Sequence, residues 1–540
     1  MLKVKRAELP GKLEVWVRNI ICAFALVILG FCLIESFMHT MELRKSDEAF
    51  EGIIYHSDNF LVNAICIAVV LLLVALVIPY LEKIPIGIQM GVLAAVTITL
   101  GSIWVLSSQS APTEDSFMVT NAARMASEGD YSFMSDRYFS NYSFQLGFVL
   151  YCECFMRLFG PHDTLLYFEF INVVLLAAAY MGLILILRRL FHSKRIQTIA
   201  CLTLLFCMQP ILFSVFIYGV IPGITFAIYA VLCEILYFQS EKKIKYLWAA
   251  CSAVCIALAA MVKLNNYIIL IAMVMMALIK LVQRRKLSDL IYIVVAVLLT
   301  LSINSSVCKL YEARSDTKLN DSLPMISYAV MGLNYPYNVV GCTAAGWYNG
   351  SYTLGNFESH NYDAKEAAAA SKEQIKERLS YFAHHYQETN DFFYEKNMSQ
   401  WNEPTYASIW INIVRIKYQE VGKIATYVCD TAPEKTTQYM NVYQLLIFLG
   451  AFAGVFCCWK KKDVFCSCFL LIIVGAFFYH MIFEGKSQYI LPYFLLLCGF
   501  SAVGMDFLSK KVEAILPKWG KKKQAQIVTC LLYTSDAADE

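Results

Sequence analysis

The 540-residue chain is 58% hydrophobic and only 16% charged, with a formal net charge of +3. Its apolar residues recur in runs of about twenty, the length a helix needs to cross the hydrocarbon of a bilayer, and no soluble domain needs that pattern. A transmembrane β-barrel is disfavoured too, because stretches such as 71–77 and 291–299 are continuously apolar instead of alternating.

The fold class is therefore an all-α polytopic membrane protein. In chain order the apolar spans read 17–38, 60–80, 87–107, 165–187, 196–213, 217–238, 247–263, 266–283, 287–305, 441–459, 464–483 and 489–508, twelve in all. The first is too long for a signal peptide, lacks a small-residue cleavage site and leads straight into further spans. Lys3, Lys5, Arg6 and Lys12 precede it. Further basic clusters lie at Arg188, Arg189, Lys194 and Arg195, at 242–245, at 284–286, at 460–462 and at 510–523, and with twelve spans all of them fall on one side. The positive-inside rule makes that side cytoplasmic, with the N-terminus on it.

Three polar segments then lie outside, at 44–58, 108–163 and 306–439. The division expected is N-terminal spans over 1–107, an external loop with interfacial helices over 108–164, and spans over 165–305. A large external and mainly helical loop domain follows over 306–440, then spans over 441–508 and a basic cytoplasmic tail over 509–529. Residues 530–540 resemble a translated sequencing adapter and are set aside; with their three acids removed the net charge becomes +6. In the large loop, 361–385 is rich in Ala, Glu and Lys and reads as a surface helix, whereas 333–356 is rich in Gly, Tyr and Asn and reads as irregular.

Most of the nineteen cysteines sit inside apolar runs, as Cys201, Cys207, Cys251, Cys255, Cys466 and Cys468 do, and read as packing. Cys308, Cys342 and Cys429 fall in the large external segment, where a bridge among them stays open.

The first external segment reads Ala-Pro-Thr-Glu-Asp-Ser-Phe-Met-Val-Thr-Asn-Ala-Ala-Arg-Met-Ala-Ser-Glu-Gly-Asp over 111–130. Pro112 and Thr113 make a helix start, Glu114 and Asp115 lie in the first turn where the helix dipole favours a carboxylate, and Gly129 is the stop. At helical spacing Asp115 heads the apolar line through Met118, Val119, Ala122, Met125 and Ala126. The bland reading is a first-turn dipole acid; the sharper one is a catalytic acid at a membrane boundary. After the Tyr-rich strip 138–145 comes a second amphipathic stretch, 146–160, too short for a span and placed on the outer interface.

The order of apolar span, acid-headed helix, Gly-Asp turn, Tyr-rich strip, interfacial helix ending Leu-Phe-Gly and next span resembles the GT-C membrane glycosyltransferases. The nearest likeness is to bacterial members akin to protein O-mannosyltransferases and the lipid A aminoarabinose transferase. The late run Phe483-Glu-Gly-Lys-Ser-Gln-Tyr-Ile-Leu-Pro-Tyr493 is similar to that family's last external motif, with Gln488 where an arginine is usual. Met331-Gly-Leu-Asn, Gly346-Trp-Tyr-Asn and Lys396-Asn-Met-Ser-Gln-Trp401 resemble a Gram-positive-type subgroup. The likeness spans most of 108–507; the two spans before it are a subgroup feature or an addition.

The resemblance implies transfer of a sugar from a polyprenyl-phosphate donor to an extracytoplasmic glycan, lipid or protein acceptor, with inversion. It places the general base at Asp115, with Glu114 beside it. The donor phosphate would be met by Lys263, Lys486 and Tyr489, and Asp130, Tyr138 and Glu484 are further site candidates. For Lys263 a snorkelling helix-end lysine is the structural alternative, and Lys486 lacks the guanidinium fork. Some relatives hold a divalent cation, but the segment has no Asp-x-Asp, so neither a metal nor another cofactor is assigned. His384 and His385 read as solvated. The competing functions are a transporter, a flippase or a polysaccharide ligase of cell-surface glycan assembly; the scarcity of charge within the spans argues against the first two. No nucleic-acid partner is expected.

Overall fold

Backbone amides cannot be left unpaired in hydrocarbon, so long apolar runs fold as helices. The computed structural model describes residues 2–45, 51–336 and 344–515 and is all-α apart from one short hairpin. Among the described residues, eleven helices are long and apolar enough to cross a membrane, or twelve if the bent pair Lys194–Leu205 and Gln209–Val215 is one span. That pair is the predicted span 196–213, broken by 46°. Pro210 sits in the first turn of the second piece, where its missing N–H costs nothing.

Several helices outrun their apolar stretches. Leu287–Ser315 projects ten residues past the predicted span, and Pro433–Trp459 begins eight residues before its own. The basic clusters gather at one end of the bundle. There Lys280 pairs with Glu14 at 3.2 Å and Asp463 at 2.9 Å, Arg195 with Asp506 at 2.9 Å, and Lys286 with Glu241 at 3.2 Å. Residues 516–540, with the tail lysines and the adapter-like segment, lie outside the described residues.

The helices 433–459 and 487–515 approach backbone to backbone. A methyl on Gly504 would stand 1.9 Å from the Gly450 carbonyl oxygen and 2.4 Å from the Gly454 nitrogen. Small residues at such a seam let membrane helices gain van der Waals contact where lipid offers no hydrophobic drive. Gly504→Val should therefore cost about 1–3 kcal/mol or more by overpacking, seen as a lowered thermal midpoint in detergent. Gly475→Ala, whose added carbon meets only Ile268 at 3.4 Å, should leave the midpoint unchanged.

At the opposite end the polar segments assemble over the bundle. Residues 39–44 and 52–57 form an antiparallel hairpin, pairing Met41 with Tyr55, and Met41 N–H donates to the Asn402 carbonyl at 3.2 Å. The acid-headed helix is Glu114–Glu128, and Gly129 ends it at φ 87°. Its Ser116, Val119, Thr120, Ala123 and Ala126 are buried. The next helix, Leu146–Phe159, is more deeply packed than an interfacial helix need be. Glu153, 1% exposed, accepts from Tyr311 Oη at 2.5 Å, Arg314 Nη1 at 3.1 Å and Arg157 Nε at 2.8 Å, so the end of helix 287–315 grips it.

In the large loop the Ala/Glu/Lys-rich stretch is helical over Ala364–His384, capped by Asp363, and His384 and His385 are exposed. The three loop motifs converge on one buried knot. Lys396 Nζ donates to the carbonyls of Gly332, Met481 and Phe483. Trp347 Nε1 donates to Ser399 Oγ at 2.9 Å, and Gly485 N–H donates to the Gly346 carbonyl at 2.9 Å. Burial holds the Lys396 pKa down at about 7. Cys308 and Cys429 are free thiols, while Cys342 lies outside the described residues.

Candidate active site

The knot props the 483–489 turn against a cavity of about 380 Å³ at the polar end of the bundle. Its walls come from seven separate stretches of chain: Glu51, the start of helix 114–128, the Tyr-rich strip, the turns at 216–218 and 262–265, the large loop, and 479–489. Glu114, Asp115, Lys263, Glu484, Lys486 and Tyr489 all line it, which places six of the eight sequence candidates together.

Asp115 is aimed by the backbone around it. Ala111 N–H donates to the Ile416 carbonyl at 2.8 Å and Tyr418 N–H to that of Gln109 at 2.8 Å, so the run 415–418 after helix Ser408–Val414 pins the approach to the helix. Glu114 takes a left-handed φ of 51°, uncommon for a residue with a β-carbon and of the kind that collects at functional sites. Ser116 Oγ donates to the Ile217 carbonyl at 2.7 Å, which fastens the helix start to the 216–219 turn. Tyr218 Oη then donates to Asp115 Oδ2 at 2.8 Å and accepts from Gln145 Nε2. The turn closes this tightly only because residue 219 is glycine: it stands at φ 79°, and a β-carbon would lie 2.3 Å from the Val262 carbonyl oxygen.

Lys263 follows the end of helix 245–262 in extended backbone. Its Nζ lies 4.0 Å from the centre of the Tyr218 ring and 5.8 Å from that of Tyr489. No described carboxylate pairs with it. Burial lowers its pKa to about 8, against the pull of Asp115 and Glu484. Lys486, the other predicted phosphate lysine, is already engaged: its Nζ meets Glu51 Oε1 at 2.6 Å. Glu484 accepts from Tyr489 Oη at 3.2 Å, and burial raises its pKa despite Lys486.

Two candidates stand apart from the cavity lining. Asp130 is exposed and takes the Ser132 N–H at 2.8 Å, so its place is the turn after the helix: Gly129 ends the helix too far from its first turn for Asp130 to reach Asp115. Tyr138 stays close to Asp115, and burial together with that carboxylate pushes its pKa well up. Its hydroxyl is enclosed, beside Asp115 and Gln145. Among the described residues no group of three or more His, Cys, Asp or Glu could hold a metal ion.

Sequence reasoning missed Glu51, Tyr218, Gln145 and Arg415, and with them the aromatic wall of Tyr142, Tyr328, Tyr348 and Trp410. Arg415 had a signal: Val414, Ile416 and Tyr418 alternate with Arg415 and Lys417 at the period of a strand. A second cavity, about 710 Å³, lies between helices 264–284 and 287–315 and is lined by Leu264, Tyr267, Ile268, Leu301, Asn304 and Cys308 among others. The two cavities share Phe144, Leu264, Asn265, Met325, Tyr479 and Phe483, and Leu301 is 56% exposed on the membrane flank.

A family model described as a conserved hypothetical integral membrane protein matches residues 13–504. The chain belongs to this family of integral membrane proteins. The match takes in every cavity-lining residue. No curated protein matches the chain. Among solved structures it is similar to the archaeal oligosaccharyltransferase AglB from Archaeoglobus fulgidus, in complex with an inhibitory peptide and a dolichol-phosphate, at 10% identity and a TM-score of 0.39. That likeness covers 81% of this chain and 54% of AglB, so the chain spans about half the length of that protein. At this score the likeness says nothing about activity.

Proposed function

We propose that this membrane protein transfers a sugar from a polyprenyl-phosphate donor to an acceptor hydroxyl outside the cell, with inversion at the anomeric carbon. What carries the reading is Asp115. Its carboxylate is held by Tyr218 in a cavity that also contains the ammonium of Lys263, which pairs with no described carboxylate, and adjoins a mostly apolar groove between two helices. The GT-C resemblance of 108–507 points the same way.

The groove would take the first isoprene units of the carrier, with the phosphate at Lys263. Asp115 would accept the proton of the acceptor O–H as that oxygen bonds to the anomeric carbon. The bond from that carbon to the phosphate oxygen breaks, and its electron pair leaves with the polyprenyl phosphate. Lys263 would stabilise the charge gathering there. The aromatic wall offers faces for a sugar ring, and the basic clusters at the far end of the bundle support a cavity that opens on the outer side. Tyr218 is a positioning residue: Tyr218→Phe removes one hydrogen bond to the base, worth about 1–2 kcal/mol. It should lower kcat by about five- to thirtyfold with the donor KM little changed.

The test is incorporation of radiolabelled sugar from a panel of synthetic polyprenyl-phosphate monosaccharides into crude cell envelope by membranes carrying the protein. Incorporation from one donor that depends on Asp115 supports the reading. Well-expressed protein that transfers from none of the donors would turn the assignment toward a ligase or transporter.

A further inference from the structure

Arg415 is a buried cation that the reaction above does not use. It is 8% exposed and lines the main cavity. Its guanidinium lies 4.3 Å from the centre of the Phe216 ring, and it makes no hydrogen bond or ion pair with any described residue. Nη1 is fully enclosed and without a partner. Glu169 and Glu114 are its nearest carboxylates in electrostatic terms, and neither reaches ion-pair distance. Burial lowers its pKa only to about 10, so it stays charged at neutral pH. Nη1 alone carries two of the five guanidinium N–H donors, and both are out of water. Leaving them unfilled is costly, and folded proteins seldom do so unless something else fills them.

The position of this cation narrows what could fill it. Phe216 and Tyr218 stack with their ring centres 5.2 Å apart. Arg415 lies over Phe216 and Lys263 over Tyr218, so each cation stands on its own ring of the pair. Asp115 is hydrogen-bonded to the edge of the same pair through the Tyr218 hydroxyl.

We propose that Arg415 forms a second anion subsite in this cavity, apart from Lys263, that takes a phosphate or carboxylate group of a substrate in its guanidinium fork. The inference rests on the glycosyltransferase reading only for what the anion belongs to. It is either a charge on the acceptor, held while Lys263 holds the donor, or the donor's one phosphate, then shared between Arg415 and Lys263.

Binding can be read without turnover. The full chain in nanodiscs is titrated with inorganic phosphate and, separately, with farnesyl phosphate, following tryptophan fluorescence, since Trp410 lines the same cavity. Arg415→Gln should weaken inorganic phosphate at least tenfold, and Arg415→Lys, which keeps the charge without the fork, should weaken it severalfold. If Arg415→Gln spares farnesyl phosphate while Lys263→Gln weakens it, the subsite serves an anionic acceptor; if both variants weaken it, the subsite serves the donor. Unchanged phosphate affinity in a folded Arg415→Gln overturns the proposal. Should that variant not fold, thermal protection by inorganic phosphate decides. Protection of wild type much stronger than that of Arg415→Lys supports the subsite, and equal protection overturns it. A chain that transfers no sugar yet loses phosphate binding with Arg415 would sink the transferase reading and leave this one standing.

Discussion

Asp115→Asn is expected to reduce sugar transfer by about a hundred- to ten-thousandfold, the range a positioned general base contributes, with membrane expression and thermal midpoint unchanged. The substitution is nearly isosteric, and the amide oxygen can still accept from Tyr218, so the geometry around 2.8 Å is kept. What disappears is the capacity to take a proton. The loss should fall on kcat and on kcat/KM alike, because a base works in the transition state and adds little to ground-state binding. Glu114→Gln is the internal comparison. Glu114 lines the cavity next to Asp115 but faces the charge of Arg415, and its loss should cost far less. Transfer that survives in Asp115→Asn and vanishes in Glu114→Gln would mean that the wrong neighbour was assigned.

The second large effect concerns Lys263 and pH. Its pKa of about 8 lies below the usual 10.5 because burial penalises the ammonium. The sign follows directly: the group is charged below that value and neutral above it. Donor capture, read as kcat/KM for the polyprenyl-phosphate sugar, should be full below about pH 7 and fall as pH rises through 8, up to tenfold per pH unit. A bound phosphate favours the ammonium, so kcat should hold to higher pH than kcat/KM does. Lys263→Gln should raise the donor KM about ten- to hundredfold, the worth of a charged hydrogen bond. Lys263→Arg should retain binding and abolish the alkaline fall, since a guanidinium does not deprotonate in this range. A Lys263→Arg profile with the same alkaline limb as wild type would assign that limb to another group.

How far the site could be read along the chain depends on how local each signal is. The helix at Glu114–Glu128 was legible because its start, its acidic first turn and its Gly129 stop all lie within seventeen residues. The 483–493 run was legible for the same reason. Tyr218, by contrast, sits in a four-residue turn between two apolar stretches, and only its hydroxyl bond to a residue 103 positions earlier in the chain gives it a role. Glu51 belongs to the polar segment 44–58, outside the region of resemblance, yet it pairs with Lys486 across 435 residues. Those pairings are made by the bundle, and no periodicity announces them.

The sequence by itself determined that the chain crosses a membrane on about twelve helices, that its basic loops share one side, and that an acid-headed helix lies on the other. Each is a matter of residues close together meeting one physical demand: hydrocarbon thickness, charge asymmetry or a helix dipole. Tertiary structure alone decided which cations remain unpaired. Glu51 pairs with Lys486, no described carboxylate pairs with Lys263, and Arg415 is delivered to the cavity by a strand-like run that bonds to the residues just before Asp115. The physical reason is that a charge in a low-dielectric cavity is governed by the few groups within several ångströms of it, and here those groups come from seven distant stretches of chain.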